Sequence, residues 1–341
     1  MKQSVLAVAS STGRKLRFFD GESLEPLGDL PMLAEPHEIA VDTTRSLLHV
    51  SHTYRSGAYQ AFSEHGHEIS VVDPFQRTVV DVIDISPVRA PHGLAVAPDA
   101  SALYATVEHP VGALAVIDLD THRLVDFIPT GAAGSHWCVV TPDGRKAYVA
   151  NKEAPFVSVI DLRTGKLVTK VPMPDGTEEL AVAPDGSRVY AAGVMINRLW
   201  EGQAPATLVV IDTETDEVAE QRPLDDPASP VHVATDGRVL VGGVRFAAGN
   251  GSPNTRATVN GTLSLLAPED LTIRGTIEVG MFPLTIRSTP DARRAFVTNM
   301  RSGTLDVIDL ESGRHLRTLE IETGSGPVTN QGAHGIGYLA A

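Results

Sequence analysis

The chain has 341 residues, of which 42% are apolar and 21% charged, and its formal net charge is −14. This composition supports a large hydrophobic core and excludes global disorder. The acidic balance and the lack of any basic run argue against nucleic acid and anionic membranes as partners, because phosphate binding requires clustered Lys and Arg. We therefore expect a soluble, globular protein.

A single cysteine, Cys138, excludes an intramolecular disulfide framework and favours a reducing compartment. Near the N-terminus there is an apolar run of five residues, which is shorter than the apolar segment of a signal peptide and far shorter than a membrane span. The sequence thus predicts a cytoplasmic protein, unless a leader has been removed before residue 1.

Seven similar segments follow one another along the chain, and six of them contain a strand that ends in Asp. The copies are 42 to 55 residues apart. They end at Asp20, Asp73, Asp118, Asp161, Asp212, a degenerate Ala267, and Asp309. Repetition at this interval indicates an array of similar supersecondary units.

The internal order of the repeat is clearest at 136–172. Apolar segments alternate there with the turns "TPDG" and "LRTG", which predicts four antiparallel strands joined by hairpins. Seven such units are typical of a β-propeller. The last repeat has only the pattern of a first strand before residue 341. The first residues of the chain have the pattern of second and third strands. We predict one all-β domain over 1–341, a seven-bladed β-propeller whose closing blade joins about 332–341 to 1–30.

The turns "APDG", "TPDG" and "TPDA" are followed by "VYAAG", "AYVAN" and "AFVTN" and then by "VID". These motifs resemble the YVTN-type β-propeller repeat, a subgroup of the seven-bladed folds that also contains lactonase-like proteins. The resemblance covers the whole chain and implies the fold. It implies function only weakly, because such propellers include lyases, hydrolases, oxidoreductases and pure binding modules.

The register of the repeat assigns several histidines to one structural position. The first strand of a propeller blade is innermost, so its first residue lies at the rim of the central channel. This residue lies seven positions before the Asp of the turn that follows the first strand. Where that Asp is replaced, it lies seven positions before the aligned residue. The order around the ring is then His334, His37, His92, His136, Glu178, Ser229 and Leu284.

Imidazoles and a carboxylate that converge on one axis are suitable ligands for a divalent transition metal. We predict a site for Fe, Zn, Mn, Ni or Cu, in which Glu178 is a ligand or a general base. Its histidine ligands are His37, His92, His136 and His334. The alternative is that each histidine is a feature of the repeat that hydrogen-bonds a loop. His232 lies three residues out of register, and we interpret it as a packing residue.

Three connections between second and third strands are longer than the others, at 51–70, 193–207 and 245–262. They belong to the face that carries the ring, and insertions in repeat folds collect on the functional face. The first contains "EHGHE", in which His65 and His67 are a candidate chelating pair or simply an exposed loop tip.

Polar residues at the loop entrances are further candidates. His52 and His109 are candidate acids or bases. Candidates for orienting an anionic or carbonyl substrate, or for capping the mouth, are Asn151, Lys152, Arg198, Trp200, Arg245 and Asn299.

The leading hypothesis is a metal-dependent enzyme that acts on a small polar molecule at the top of the channel. Hydrolysis of a lactone or ester fits a Lewis acid, as does elimination or isomerisation next to a carbonyl. The alternatives are a metal-free lactonase-like hydrolase and a non-catalytic propeller that binds a ligand or a protein. No nucleophile elbow, phosphate-binding glycine loop or His-Glu-x-x-His motif occurs. The oligomeric state is open.

Overall fold

The protein is a seven-bladed β-propeller, as the repeat predicted. The structure is a computed structural model that describes residues 4–58, 61–193, 206–247, 258–322 and 331–340. These residues form seven four-stranded antiparallel sheets and one small hairpin, and none of them is helical. Across the same ranges there is accordingly no helix of the length and apolarity that a membrane span needs.

The blades are numbered from the one that contains both chain ends. Blade 1 comprises β1 (Val5–Ser10), β2 (Lys15–Asp20), β3 (Pro26–Pro31) and β30 (Ile336–Leu339). Blade 2 comprises β4 (Ile39–Asp42), β5 (Leu47–Ser51), β8 (Glu68–Asp73) and β9 (Thr78–Asp84), and the hairpin of β6 (Gly57–Ala58) and β7 (Ala61–Phe62) is inserted between β5 and β8. Blade 3 comprises β10 (Arg89–Val96), β11 (Ala102–His109), β12 (Ala113–Asp118) and β13 (Arg123–Pro129).

The other four blades follow in chain order. Blade 4 comprises β14 (Ser135–Val140), β15 (Lys146–Asn151), β16 (Phe156–Asp161) and β17 (Lys166–Pro172). Blade 5 comprises β18 (Glu179–Val182), β19 (Arg188–Ala192), β20 (Thr207–Asp212) and β21 (Glu217–Pro223). Blade 6 comprises β22 (Ala228–Val233), β23 (Val239–Phe246), β24 (Thr258–Leu266) and β25 (Ile273–Met281). Blade 7 comprises β26 (Pro283–Ser288), β27 (Arg294–Asn299), β28 (Thr304–Asp309) and β29 (Arg314–Glu320).

The ring is closed by pairing of the two chain ends. Strand β30 pairs antiparallel with β1, so that Val5 lies opposite Leu339. The fully buried Ile336 of β30 packs in one cluster with Phe296 and Leu305 of blade 7. The last strand thus completes blade 1 and also joins it to blade 7.

The Asp that ends the third strand in six of the seven blades has a local structural role. The Oδ1 atom of Asp118 accepts hydrogen bonds from the backbone amides of Asp120 and Thr121, at 3.1 and 2.7 Å. The equivalent carboxylates of Asp20, Asp73, Asp161, Asp212 and Asp309 bind their own turns in the same way. A carboxylate that bonds amides two or three residues ahead fixes a tight turn, and this explains why the repeat retains Asp here.

The core lies between neighbouring blades. Ile69 and Val71 of blade 2, for example, pack against Leu103 and Ala105 of blade 3, and all four are fully buried. Because every blade buries both faces in this way, the innermost strands are held close together around the axis. The residues that begin these strands are therefore brought to one end of the channel.

Candidate functional site

Four histidine side chains meet at that end of the channel. They lie at the start of the innermost strands of blades 1 to 4, and each is between 2% and 6% exposed. The ring centroids are 3.9 Å apart for His334 and His37, 4.3 Å for His37 and His92, and 3.7 Å for His92 and His136. The Nε2 atoms of His37 and His92 are 2.8 Å apart, so one donates a hydrogen bond to the other. We call this cluster the histidine arc.

β-Bulges take the ring positions out of the normal strand alternation. In blades 3 and 4 the pairing of the first two strands shifts at His92 and at His136. Blades 6 and 7 have the same shift at Ser229 and Leu284. A bulge inserts an unpaired residue and re-aims its side chain. The position found by counting back from the turn Asp is thus a recurrent bulge in these blades.

A glycine follows the histidine in two blades, where neighbouring inner strands approach closely. A Cβ atom on Gly335 would lie 2.5 Å from the carbonyl oxygen of His37, and one on Gly93 would lie 2.8 Å from that of His136. The amide of Gly335 donates a hydrogen bond to the His37 carbonyl at 2.9 Å. The absence of a side chain therefore allows the backbones, and with them the imidazole rings, to come into contact.

Three imidazoles of the arc, those of His37, His92 and His136, are neutral at pH 7. Burial lowers the pKa values of His37, His92 and His136 well below the usual range. The charges of neighbouring histidines and of Lys152 lower them further, since each added proton would repel the others. Neutral imidazoles are metal ligands, proton acceptors and hydrogen-bond donors.

A buried ion pair lies beside the arc. Lys152, which follows β15, is 6% exposed, and its Nζ is 3.1 Å from Oε1 of Glu178, which precedes β18. The same carboxylate oxygen is 3.7 Å from Nε2 of His136. The His136 Nδ1 atom donates a hydrogen bond to the Glu178 backbone carbonyl at 2.7 Å. The Glu178 carboxylate thus contacts both an ammonium and an imidazole, and we call these three residues the lysine–glutamate centre.

A second carboxyl group in this region was missed by the sequence analysis. Glu108 lies near the end of β11, and its Oε2 atom accepts a hydrogen bond of 2.8 Å from the hydroxyl of Tyr54. Its Oε1 atom is buried without a hydrogen-bond partner among the described residues. Burial raises the pKa of Glu108 to about 7, and the charge of Lys152 opposes this rise. Glu108 precedes His109, but no local pattern shows that Tyr54 reaches it from another blade.

Two more glutamates lie one residue further along the inner strands. Oε1 of Glu38 is 3.0 Å from Nδ1 of His334, and Oε1 of Glu179 is 3.6 Å from Nη1 of Arg287. Burial raises the pKa of Glu179 well above its usual range, and the Arg287 charge opposes this. Glu38 and Glu179 each directly follow a predicted ring position, and this position in the repeat is the sequence signal that could have identified them.

An axial cavity of about 420 Å³ is lined by Arg287, Trp137 and apolar inner-strand residues.

Three predicted site residues lie inside blades instead of at the mouth. His52 is fully buried: Nδ1 donates to the Glu35 carbonyl at 3.3 Å, Nε2 accepts from Ser70 at 2.9 Å, and burial lowers its pKa to about 4. The buried amides of Asn151 and Asn299 bond the polar side chains of the following strands. These three side chains hold loops and strands together, so their contacts do not support the predicted catalytic and binding roles.

The remaining predicted residues are spread over the same face. Arg245 is half-exposed, with its Nε 3.7 Å from the carboxylate of Asp226. His65 packs against His109 at a ring distance of 5.0 Å. His67 instead contacts Asp84 through Nδ1 at 3.2 Å, so the predicted chelating pair points in two directions.

Two predicted residues at the mouth, Arg198 and Trp200, lie outside the described residues. The packing role predicted for His232 matches its contacts, because its Nε2 accepts a hydrogen bond of 3.2 Å from the Ser288 amide.

The arc has the donor chemistry of a metal site but a different geometry. Among the described residues, no group of three or more His, Cys, Asp and Glu side chains is arranged to hold a metal ion. The Nε2 atoms of His37 and His92 are hydrogen-bonded to each other and the other contacts in the arc are ring against ring, whereas ligation requires nitrogen lone pairs that converge on one point. The Nδ1 atom of His136 is fixed by a backbone carbonyl, which leaves its Nε2 as the ligating nitrogen.

Known proteins share the fold along the full chain. The structure of the periplasmic gluconolactonase PpgL of Pseudomonas aeruginosa superposes with a TM-score of 0.71 at 16% identity, over 99% of both chains. Hydrazine synthase of Kuenenia stuttgartiensis gives a TM-score of 0.69 at 16% identity, over 92% of this chain and 97% of the other. The dihydro-heme d1 dehydrogenase NirN gives a TM-score of 0.63 at 15% identity, over 97% and 74%. At such identities the likeness shows the seven-bladed fold.

One curated sequence is similar to part of the chain. Antigen Lp49 of Leptospira interrogans is 28% identical over 186 residues, which are 51% of this chain and 40% of that protein. The chain thus matches less than half the length of this relative. No family model matches the chain, and the resemblance to the YVTN-type repeat stays a prediction.

The close approach of inner strands predicts a steric effect at Gly93. A Gly93→Ala substitution places Cβ against the backbone of His136 and Trp137, and we expect it to lower the free energy of unfolding by about 1–3 kcal/mol. Chemical denaturation measures the change. Gly275→Ala is the matched control, because a Cβ there meets no atom within 4 Å. Equal effects of the two substitutions would contradict the packing argument.

The buried carboxyl of Glu108 predicts a pH-dependent stability. Its pKa rises from 4.5 to about 7 on folding, so its contribution is fully present below pH 4.5 and is lost as the pH rises to about 7. We expect Glu108→Gln to match the parent protein near pH 4.5 and to exceed its stability by about 2–3 kcal/mol at pH 8. Denaturation curves at both pH values test this. A difference that does not change with pH would show that the carboxyl is not the titrating group.

Proposed function

We propose that the protein is a lactonase-like enzyme, which hydrolyses a lactone or a related ester of a small polar molecule at the top of the channel. The observation that carries this proposal is the lysine–glutamate centre, in which Glu178 contacts both Lys152 and His136. The full-length likeness in fold to a gluconolactonase supports the reaction class.

In the proposed reaction, the Glu178 carboxylate acts as general base. It takes a proton from a water molecule, whose oxygen attacks the ester carbonyl carbon. The Lys152 ammonium stabilises the oxyanion that forms on the carbonyl oxygen, because a nearby positive charge acts strongly where water is excluded. The neutral His136 carries one ring proton, on the Nδ1 atom that donates to the Glu178 carbonyl. Its Nε2 atom is therefore a hydrogen-bond acceptor.

Collapse of the tetrahedral intermediate completes the hydrolysis. The bond between the carbonyl carbon and the ring oxygen breaks, and the leaving alkoxide takes the proton that Glu178 received from water. The Glu178 carboxylate is regenerated, and the open-chain hydroxy acid loses its carboxyl proton to solvent, so the product is an anion at pH 7. The three neutral imidazoles beside the centre add no positive charge that would hold this anionic product.

A divalent transition metal in the arc is our second proposal for the same site. Two observations favour it: burial keeps His37, His92 and His136 neutral, and Nδ1 of His136 donates a hydrogen bond to the Glu178 carbonyl. Such outer contacts orient the Nε2 atoms of metal-ligating histidines. A bound metal would polarise the ester carbonyl. The Nε2 atoms of His37 and His92 already lie 2.8 Å apart, so a metal held by both would replace the hydrogen bond between them.

The lysine–glutamate centre predicts which residues are needed for turnover. We expect Glu178→Gln and Lys152→Met each to lower kcat/KM for a lactone by at least 100-fold, because one removes the base and the other the oxyanion partner. The matched control is Lys146→Met, which removes a similar ion pair, with Asp216 at 2.8 Å, from the other end of the same strand. A lactone panel with pH-stat detection measures turnover, and circular dichroism confirms folding.

The outcome separates the proposal from a binding protein. Loss of activity in Lys146→Met equal to that in Lys152→Met would place the effect on stability and not on the site. Absence of turnover of any lactone or ester by the parent protein, with or without added metal, would overturn the hydrolase proposal and favour a non-catalytic propeller.

The metal proposal predicts a stoichiometric ion. Elemental analysis of purified, untagged protein should find about one equivalent of Fe, Zn, Mn, Ni or Cu, and we expect His92→Ala to lose it because two arc neighbours contact this ring. His49→Ala is the control, because His49 is a fully buried histidine of β5. Full lactone turnover without metal after chelation would favour the metal-free reaction instead.

A further inference from the structure

The axial cavity of about 420 Å³ lies in the channel below the histidine arc. The innermost strands of all seven blades line it, and in five blades the lining begins two residues after the ring position. These first lining residues are Ile39, Leu94, Leu180, Val231 and Ile336. The lining residues that the structure describes include none of the four arc histidines. The cavity has the volume of a small-molecule site and is separate from the site of the proposed hydrolysis.

Valine recurs at one position of the inner strands that line the cavity. It lies four residues after the ring position in blades 2 to 6 and is partly exposed in each. The members are Val41, Val96, Val140, Val182 and Val233. Because these five blades are neighbours, the valines surround most of the channel with apolar surface, and we call them the valine band. Burial of an apolar group against this surface is favourable.

Arg287 of blade 7 lies across the channel. Its guanidinium carbon is 5.3 Å from the centre of the Trp137 ring of blade 4, and its Nη1 atom is 3.6 Å from Oε1 of Glu179 of blade 5. The same Nη1 atom donates a hydrogen bond to the Ile286 carbonyl at 2.7 Å. Among the described residues, hydrogen bonds from this guanidinium use Nη1 alone. The edge formed by Nε and Nη2 is therefore available to a ligand.

His232 is a second donor, on the neighbouring blade. It lies three residues after the ring position of blade 6, as Arg287 does in blade 7, and both line the cavity. Burial, and to a smaller extent the charge of Arg287, lowers the pKa of His232 to about 3, so its imidazole is neutral at pH 7. Its Nε2 atom accepts a hydrogen bond of 3.2 Å from the Ser288 amide, which places the ring proton on Nδ1.

The charge of the cavity lining has one sign. Among the described residues that line the cavity, Arg287 is the one charged side chain and no carboxylate is present. Glu179 contacts the guanidinium but is not a lining residue, and its Oε2 atom accepts a hydrogen bond of 3.3 Å from the Val231 amide. A ligand in the cavity thus meets donors and positive charge on one side and the valine band on the others.

We propose that this part of the channel binds a small organic monocarboxylate with an apolar body. The two carboxylate oxygens accept hydrogen bonds from Nε and Nη2 of Arg287, because the planar guanidinium matches a carboxylate in this bidentate arrangement. Nδ1 of His232 donates a further hydrogen bond to the carboxylate. The apolar body packs against the valine band. This binding site requires neither lactone hydrolysis nor a metal, so it goes beyond the proposed function.

Two other ligand chemistries match only part of the site. Inorganic phosphate accepts hydrogen bonds from Arg287 but has no apolar group to pack against the valine band. A neutral amide with an apolar body packs against the valines, but its single carbonyl oxygen carries no charge, and hydrogen bonds between a guanidinium and an ionised acceptor are about twice as strong as neutral ones. The monocarboxylate is the class that uses both halves of the cavity.

Isothermal titration calorimetry at pH 7 with benzoate, benzamide and inorganic phosphate tests the proposal. We expect benzoate to bind the parent protein at least about tenfold more tightly than benzamide or phosphate. Arg287→Met should weaken benzoate binding by roughly 100-fold, and Arg287→Lys by about tenfold, because lysine keeps the charge beside Glu179 but loses the planar fork. Arg293→Met is the matched control, because Arg293 is an exposed arginine of the same blade that contacts Asp291.

The outcomes are separate from those of the hydrolysis proposal, since none of them depends on lactone turnover. Circular dichroism measures folding, and Arg287→Lys is the test variant if Arg287→Met does not fold. Benzoate binding that is weakened by substitution of Arg287 and retained in Arg293→Met supports the site. The proposal is overturned by an absence of benzoate binding at millimolar concentration, by benzoate binding that Arg287→Lys leaves unchanged, or by equal affinity for benzamide or phosphate.

Discussion

Contact between the innermost strands of neighbouring blades is the constraint on which the site depends. Each blade buries both faces against its neighbours, so the inner strands meet around the axis wherever their side chains permit. Gly93 and Gly335 permit it, because a methyl group at either position would collide with the backbone of the next blade. Residues at the start of successive inner strands are therefore close together. A residue type that the repeat retains at this one position forms a cluster at the end of the channel.

This convergence also determines the electrostatics of the site. Four imidazoles in ring contact cannot all carry protons, because burial and mutual repulsion both oppose charging. The positive charge nearest the arc is therefore that of Lys152, which Glu178 compensates at 3.1 Å. The result is a small charged pair beside several neutral groups, in a region from which most solvent is excluded.

The periodic part of the structure was accessible from the sequence. The Asp residues that end third strands identify six of the seven units, because their carboxylates bind their own turns. Counting back from a different Asp, in the turn after the first strand, places His92, His136 and Glu178 together. The partner of Glu108 was not accessible, because Tyr54 reaches it from a loop of another blade. Nor does the local sequence show that the polar atoms of His52 and Asn151 bond side chains of their own blades, so their predicted site roles stay predictions.

Pairing of β30 with β1 also determines when the fold can be completed. Blade 1 needs residues from both ends of the chain, so a chain still being synthesised has β1 without its inner partner until Ile336 to Leu339 have left the ribosome. An unpaired strand edge readily associates with other chains. The strands of the six other blades are all synthesised before β30, but the ring, and with it the contact between His334 and His37, can form only after β30 has been synthesised.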